Sequence, residues 1–206
     1  MKMPIYFLVL FINFGYFNSA NAQSNKSQLI DYKSRHAIYD YGDKVLSNRD
    51  SVPDYQQMEQ PLKISGTVYH SDGISPAKDV ILFIEQPNDN GDFELGLDLD
   101  KRFVKHRAWV KTDADGHYEF DTFIPGRDRH STELKSIQLA IMEPQQKEII
   151  TDSFLFENDK YLRKSCRKKL ETEENNKILK LNLKDGYYLS TRNFILKESL
   201  KNLAKK

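Results

Sequence analysis

Asp128 and His130 stand two residues apart in TFIPGRDRH, a carboxylate and an imidazole of the kinds that hold metal ions or exchange protons near neutral pH. His106 and His117 flank the segment TDADG and are the other imidazoles close to it. None of these spacings matches a recognised metal-ligand motif. DADG itself invites a calcium reading, but an EF-hand loop needs its glycine sixth and a glutamate twelfth, and the glycine here comes fourth counting from Asp113. A tight turn accounts for it better. Cys166 lies in RKSCRKK, where the surrounding cations favour the thiolate, though no partner motif accompanies it and an incidental exposed thiol is the plainer reading. The cations of that block, Arg163, Lys164, Arg167, Lys168 and Lys169, could dock an anionic partner; charge runs are more often solvated faces. Nucleophile-elbow, P-loop and dinucleotide signatures are all missing.

The elements that must position these groups are strands. From Leu62 onward, short β-branched and aromatic runs alternate with turn residues. KISGTVYH, VILFIE, HRAWVKT, HYEFDTF, IQLAIM, ITDSFLF, ILKLNL and YYLSTRNFIL are the expected strands. The unbroken apolar run VILFIE suits a strand buried on both faces. HRAWVKT and HYEFDTF, on either side of DADG, are expected to pair as a hairpin. Uneven strand and loop lengths favour a β-sandwich over a barrel, so the fold class is all-β. The stretch ENDKYLRKSCRKKLETEENN has no strand period and reads as a short exposed helix or solvated loop between strands.

The 206 residues are 39% hydrophobic and 30% charged, enough for one sizeable core. Residues 1–22 have the layout of a secretory signal peptide: Lys2, the apolar run MPIYFLVLFINFGYF, and a small-residue site at Ala20, Asn21 and Ala22. An uncleaved anchor is the alternative, but the run is shorter than the roughly 20 residues of a spanning helix and is interrupted by Asn13. Export to a periplasm or the exterior is expected, with no membrane span in the mature chain. Losing Lys2 with the leader leaves 30 basic against 30 acidic side chains, a balance without the electrostatic pull that nonspecific nucleic-acid binding needs. Residues 23–60 read as a polar, strand-poor arm or linker, residues 61–197 as the β-sandwich domain, and residues 198–206 as a tail. Most of the aromatic residues, among them Trp109 and Tyr118, are what strands and cores prefer.

Taken in order, ISGTVYHSDGISPAKDVILFIEQPNDNGDFELG, RAWVKTDADGHYEFDTFIPG, IQLAIMEP, DSFLFEND and RNFIL resemble the catalytic domain of the intradiol ring-cleavage dioxygenases, in particular an exported branch of that superfamily. Members hold Fe(III) with two tyrosinates and two histidines, anionic oxygen donors for a hard ion and imidazoles to complete the shell. The resemblance places the first tyrosine two residues after Gly91, where this chain has Phe93. It places the second three residues after the proline of TFIPG, where this chain has Asp128. The histidine pair falls on Ser136 and Gln138. Loss of a partner merely outside the ligand shell weakens metal affinity or activity about 10–100-fold, and here four first donors are replaced.

The resemblance therefore implies a non-catalytic relative in which Phe93, Asp128, Ser136 and Gln138 mark vestigial ligand positions. No cofactor is expected, and the partner would be an unknown small molecule or protein. The alternative is an active ring-cleaving dioxygenase for a catechol-like substrate, its ferric site rebuilt with Asp128 and His130. A third reading places partner binding on the N-terminal arm and the basic block.

Overall fold

The computed structural model describes residues 32–146, 149–171 and 176–197. The expected signal segment, residues 1–22, and the expected tail, residues 198–206, lie outside them.

Two mixed sheets face one another. The first has the strand order β1 (Arg49–Ser51), β7 (His117–Phe123), β2 (Pro61–Tyr69), β12 (Tyr187–Thr191), β11 (Asn182–Lys184), with β13 (Phe194–Ile195) also on β2. The second has the order β10 (Ile178–Leu179), β9 (Ile149–Phe156), β8 (Ser136–Met142), β3 (Ile81–Glu85), β6 (Arg107–Lys111). A separate hairpin is made of β4 (Leu95–Asp98) and β5 (Lys101–Val104). Between the sheets lies one apolar core, to which β2 contributes Leu62, Ile64 and Val68, β3 Leu82 and Ile84, and β7 Tyr118 and Phe120. Strict alternation along β2 puts every second residue in that core. The architecture is the all-β sandwich expected, and the basic stretch holds a short helix, α1 (Lys164–Glu171), with no buried residue.

The expected hairpin across DADG does not form. β6 pairs with β3 in the second sheet, whereas β7 pairs with β2 and β1 in the first, so the turn carries the chain from one sheet to the other. The local turn chemistry is nonetheless present: Asp113 Oδ1 accepts from the backbone N–H of Asp115 (3.0 Å) and His117 (2.9 Å), and Gly116 takes φ +68°. Turn geometry is a property of a few adjacent residues. Strand partners are chosen by which faces must be buried, and β6 and β7 bury theirs from opposite sides of one core.

β3 is covered on both faces, as its apolar run implied. Its outer residue Phe83 packs with Trp109, Ala140 and Met142 beneath Ile38, a fully buried residue from the segment before β1. Phe83 and Trp109 rings lie 4.9 Å apart, and the Trp109 indole N–H donates to the Ala37 carbonyl (3.3 Å). β1 runs parallel to β7, while next to it the Lys111 N–H donates to Ser47 O (2.8 Å) and the Trp109 N–H to Asp50 Oδ2 (2.9 Å). The segment ahead of β2 thus occupies the free edge of β6 and stitches the two sheets together.

Candidate functional site

The chain leaves β3 through Gln86, which is fully buried and held on three sides. Its N–H donates to His106 O (3.0 Å), its side-chain amide donates to Phe123 O (3.0 Å), and the Thr122 hydroxyl donates to its Oε1 (2.6 Å). The loop beyond it, 87–94, turns on Asn88, whose Oδ1 accepts from Asn90 N (3.0 Å) and Asp92 N (2.9 Å). At Gly91 the backbone takes φ +96° and lies so close to the next loop that a Cβ there would sit 2.2 Å from Asp128 N. A bond from Gly126 N to Asn88 O (2.8 Å) completes the contact. The loops bearing Phe93 and Asp128 are therefore laid backbone to backbone, and both side chains reach solvent, Phe93 with 44% of its surface exposed.

Asp128 does not extend toward a shared centre with His130. Its Oδ1 accepts from the His130 backbone N–H (2.8 Å), an Asx turn on an exposed loop, and His130 is itself exposed. A second carboxylate anchors the same loop from below. Asp159 is buried, ion-paired to Arg127, and accepts from Lys135 N (2.7 Å) and Tyr161 N (2.9 Å). Burial works against its charge, but the two backbone donors and the Arg127 guanidinium outweigh it and hold the carboxyl below its ordinary value. A depressed carboxylate stabilises the fold fully above the unfolded value of about 3.9 and loses that contribution as pH falls through its folded value. Denaturant melts taken below about pH 4 are therefore expected to lose stability more steeply for the parent than for Asp159→Asn, and equal slopes would remove Asp159 from this role.

Ser136 and Gln138 lie two apart on the outer face of β8, with Gln138 directly opposite Glu85 on β3 and Glu85 opposite Arg107 on β6. Gln138 borders a cavity of about 150 Å³ whose wall also includes His36, Phe83, Glu85, Ala140 and Thr151. Burial raises the Glu85 carboxyl, and Arg107 pulls it partly back. Burial likewise lowers Arg107, against the pull of Asp40, Tyr32, Glu85 and Asp98. The Arg107 guanidinium is turned over the rings of Phe103 (4.0 Å) and Trp109 (4.9 Å) rather than onto Glu85. His36 Nδ1 accepts from Ile38 N (3.1 Å), which leaves Nε2 as the protonated nitrogen of the neutral ring. Glu85, His36 and Arg107 escaped the sequence reading; the one available signal was a carboxylate closing an otherwise apolar strand.

Among the described residues, no group of three His, Cys, Asp or Glu side chains comes together so as to hold a metal ion. Phenylalanine offers no donor atom at position 93, Ser136 and Gln138 are neutral, and one Asp128 oxygen already caps a turn. This donor set does not fit ferric iron. Of the flanking histidines, His106 is buried, edge-on to Phe123 at 5.2 Å. It enters the core because the chain folds inward at the start of β6 and its carbonyl is needed by Gln86. Cys166 is exposed on α1. A larger, open trough of about 700 Å³ runs between β10 and β12, bordered by Asn176, Lys180, Asn182, Ser190 and Asn193, with Arg192 behind it turned inward onto Asp152 (2.5 Å).

No family model and no curated protein sequence matches the chain. Solved structures do. The dioxygenase domain of a dioxygenase carbohydrate-binding protein fusion from Streptomyces sp. SirexAA-E is 19% identical with a TM-score of 0.54, over 77% of this chain and 94% of that one. Catechol 1,2-dioxygenase from Pseudomonas arvilla C-1 is 15% identical with a TM-score of 0.60, over 92% and 71%. Of catechol 1,2-dioxygenase from Acinetobacter radioresistens, 16% identical with a TM-score of 0.56, this chain spans 60% of the length. At these identities the likeness is one of architecture, and it is specific in kind: this chain has the fold of the intradiol dioxygenases.

Proposed function

We propose that this chain is an exported, non-catalytic protein of the intradiol dioxygenase superfamily, which binds a partner where its relatives hold iron. The observation that carries the reading is the chemistry of four positions. Phe93, Asp128, Ser136 and Gln138 stand where the resemblance requires two tyrosinates and two histidines. Asp128, the single anionic side chain among them, spends an oxygen on its own loop. The remaining side chains offer a hydroxyl, an amide and a ring, which suit hydrogen bonding and stacking and are poor at Lewis-acid chemistry. Of the four, Gln138 borders the cavity of about 150 Å³, a size that favours a small organic ligand over a macromolecule.

Metal analysis of the purified mature protein by mass spectrometry, with visible spectra before and after adding ferric iron and catechol, tests it. No stoichiometric iron and no tyrosinate-to-iron absorption are expected. Iron at one per chain, with a visible band that catechol shifts, would overturn the reading in favour of an active ring-cleaving dioxygenase with a rebuilt site.

A further inference from the structure

We propose that the cavity on the outer face of the second sheet binds a small organic ammonium ion, with Glu85 as its counter-charge; the inference rests on the binding role proposed above and names the class of ligand. Glu85 is the starting point. It is half-buried at the end of β3, and among the described residues no hydrogen bond or ion pair reaches its carboxylate. A carboxylate partly withdrawn from water and without a protein donor keeps its open side for a partner, and a cation delivered by a ligand would offset the cost of its burial.

The neighbouring charges are already committed. Arg107, opposite Glu85 on β6, lies over Phe103 and Trp109. Asp152 on β9 is held by Arg192 (2.5 Å) and Lys177 (3.1 Å), and Asp40 by Arg35 (2.8 Å) and Lys101 (2.6 Å). The remaining wall matches the donor count of an ammonium group. Three N–H bonds need three acceptors, and Glu85, Gln138 and Thr151, each of which carries one, border the space together with Asp152, whose carboxylate is already paired. Phe83, almost wholly buried, gives the floor of the space its apolar character. A volume of about 150 Å³ is that of an apolar cavity known to accept a benzene ring, so the fitting ligands are arylmethylamines and short alkylamines.

Binding of this kind is linked to protons. The ligand needs ionised Glu85, whose carboxyl burial has raised, so affinity is lost as pH falls through that raised value. His36 at the mouth has its imidazole value lowered by partial desolvation, with Asp40 opposing and Lys101 adding to it. Its protonation in acid adds repulsion in the same direction. The other charged side chains around the cavity are Arg107, Asp152 with Arg192 and Lys177, and Asp40 with Arg35 and Lys101.

Titration calorimetry of the full mature chain with benzylamine, against the neutral isostere benzyl alcohol, tests the inference. Saturable one-to-one binding of benzylamine at about pH 8 is expected, with benzyl alcohol and the Glu85→Gln variant each weaker by roughly 10- to 100-fold, the worth of a charge-assisted hydrogen bond. Thr151→Tyr, at an exposed position of the wall, narrows the space and leaves the carboxylate in place, and is expected to abolish binding with the melting transition intact. Equal binding of benzyl alcohol, unchanged binding by Glu85→Gln, or no binding of benzylamine would each overturn the ammonium assignment. The non-catalytic reading fails separately, on iron content.

Discussion

Replacing Arg192 with alanine is expected to lower the unfolding free energy by about 3–5 kcal/mol, the usual consequence of breaking a buried charge pair from one side. Arg192 follows β12, where the strand expected as YYLSTRNFIL is interrupted, and its guanidinium is almost wholly buried. It donates to Asp152 Oδ2 (2.5 Å) and to Ser153 O (2.8 Å) on β9, and lies over the rings of Phe194 (4.4 Å) and Phe154 (5.2 Å). Its backbone works for the first sheet at the same time: its N–H donates to Ser65 O (2.9 Å), and its carbonyl accepts the fully buried Tyr118 hydroxyl (2.7 Å). One residue therefore joins the two sheets by charge, by stacking and by backbone pairing. Urea melts check the result. Asp152→Asn should cost at least as much, because it strands the sealed Arg192 guanidinium without a counter-charge, whereas Asp152 keeps Lys177 at 3.1 Å when Arg192 is removed. Loss within about 0.5 kcal/mol for Arg192→Ala, the size of an ordinary surface change, would refute the keystone role.

Phe83→Ala carries the second large effect, also about 3–5 kcal/mol for a phenylalanine deleted from a packed site. Here the consequence is local as well as global. Phe83 sits on the outer face of β3, where Ile38 and Trp109 close over it, so its removal takes away the floor on which the segment before β1 rests. The variant is expected to lose stability and also to be cleaved by protease within residues 32–47 under conditions where the parent chain stays intact. Cleavage elsewhere first, or a stability loss with the segment still protected, would show that this segment is held chiefly by its pairing with β7 and β6 rather than by packing.

Little of the candidate site was legible in the sequence. Gln138 could be placed by the resemblance, and it does border the cavity. Glu85 and His36 could not, because one lies at the end of a strand and the other a long way up the chain, and nothing in either neighbourhood states that they meet. Asp128 and His130 looked like a ligand pair in the sequence; a turn two residues wide satisfies the same spacing at lower cost.

Strand content shows where this divide falls. Period-two patterning along 62–68 and the unbroken run of β3 each determined a strand and its buried faces, since side-chain alternation follows from backbone geometry alone. The β4–β5 hairpin left no such mark. Its two-residue turn is Leu99 and Asp100, both at positive φ, without the glycine or asparagine that usually announces one. ILKLNL reads as one strand and is two, β10 in the second sheet and β11 in the first. The sequence by itself determined the all-β class, the turn at DADG and the buried character of β3, all properties of residues close together in the chain. Only the tertiary structure decided which sheet each strand joined, that the segment before β1 seals the free edge of β6, and that Glu85 faces a cavity. Those outcomes depend on burying faces contributed by distant segments, and their free energy belongs to no single stretch of sequence.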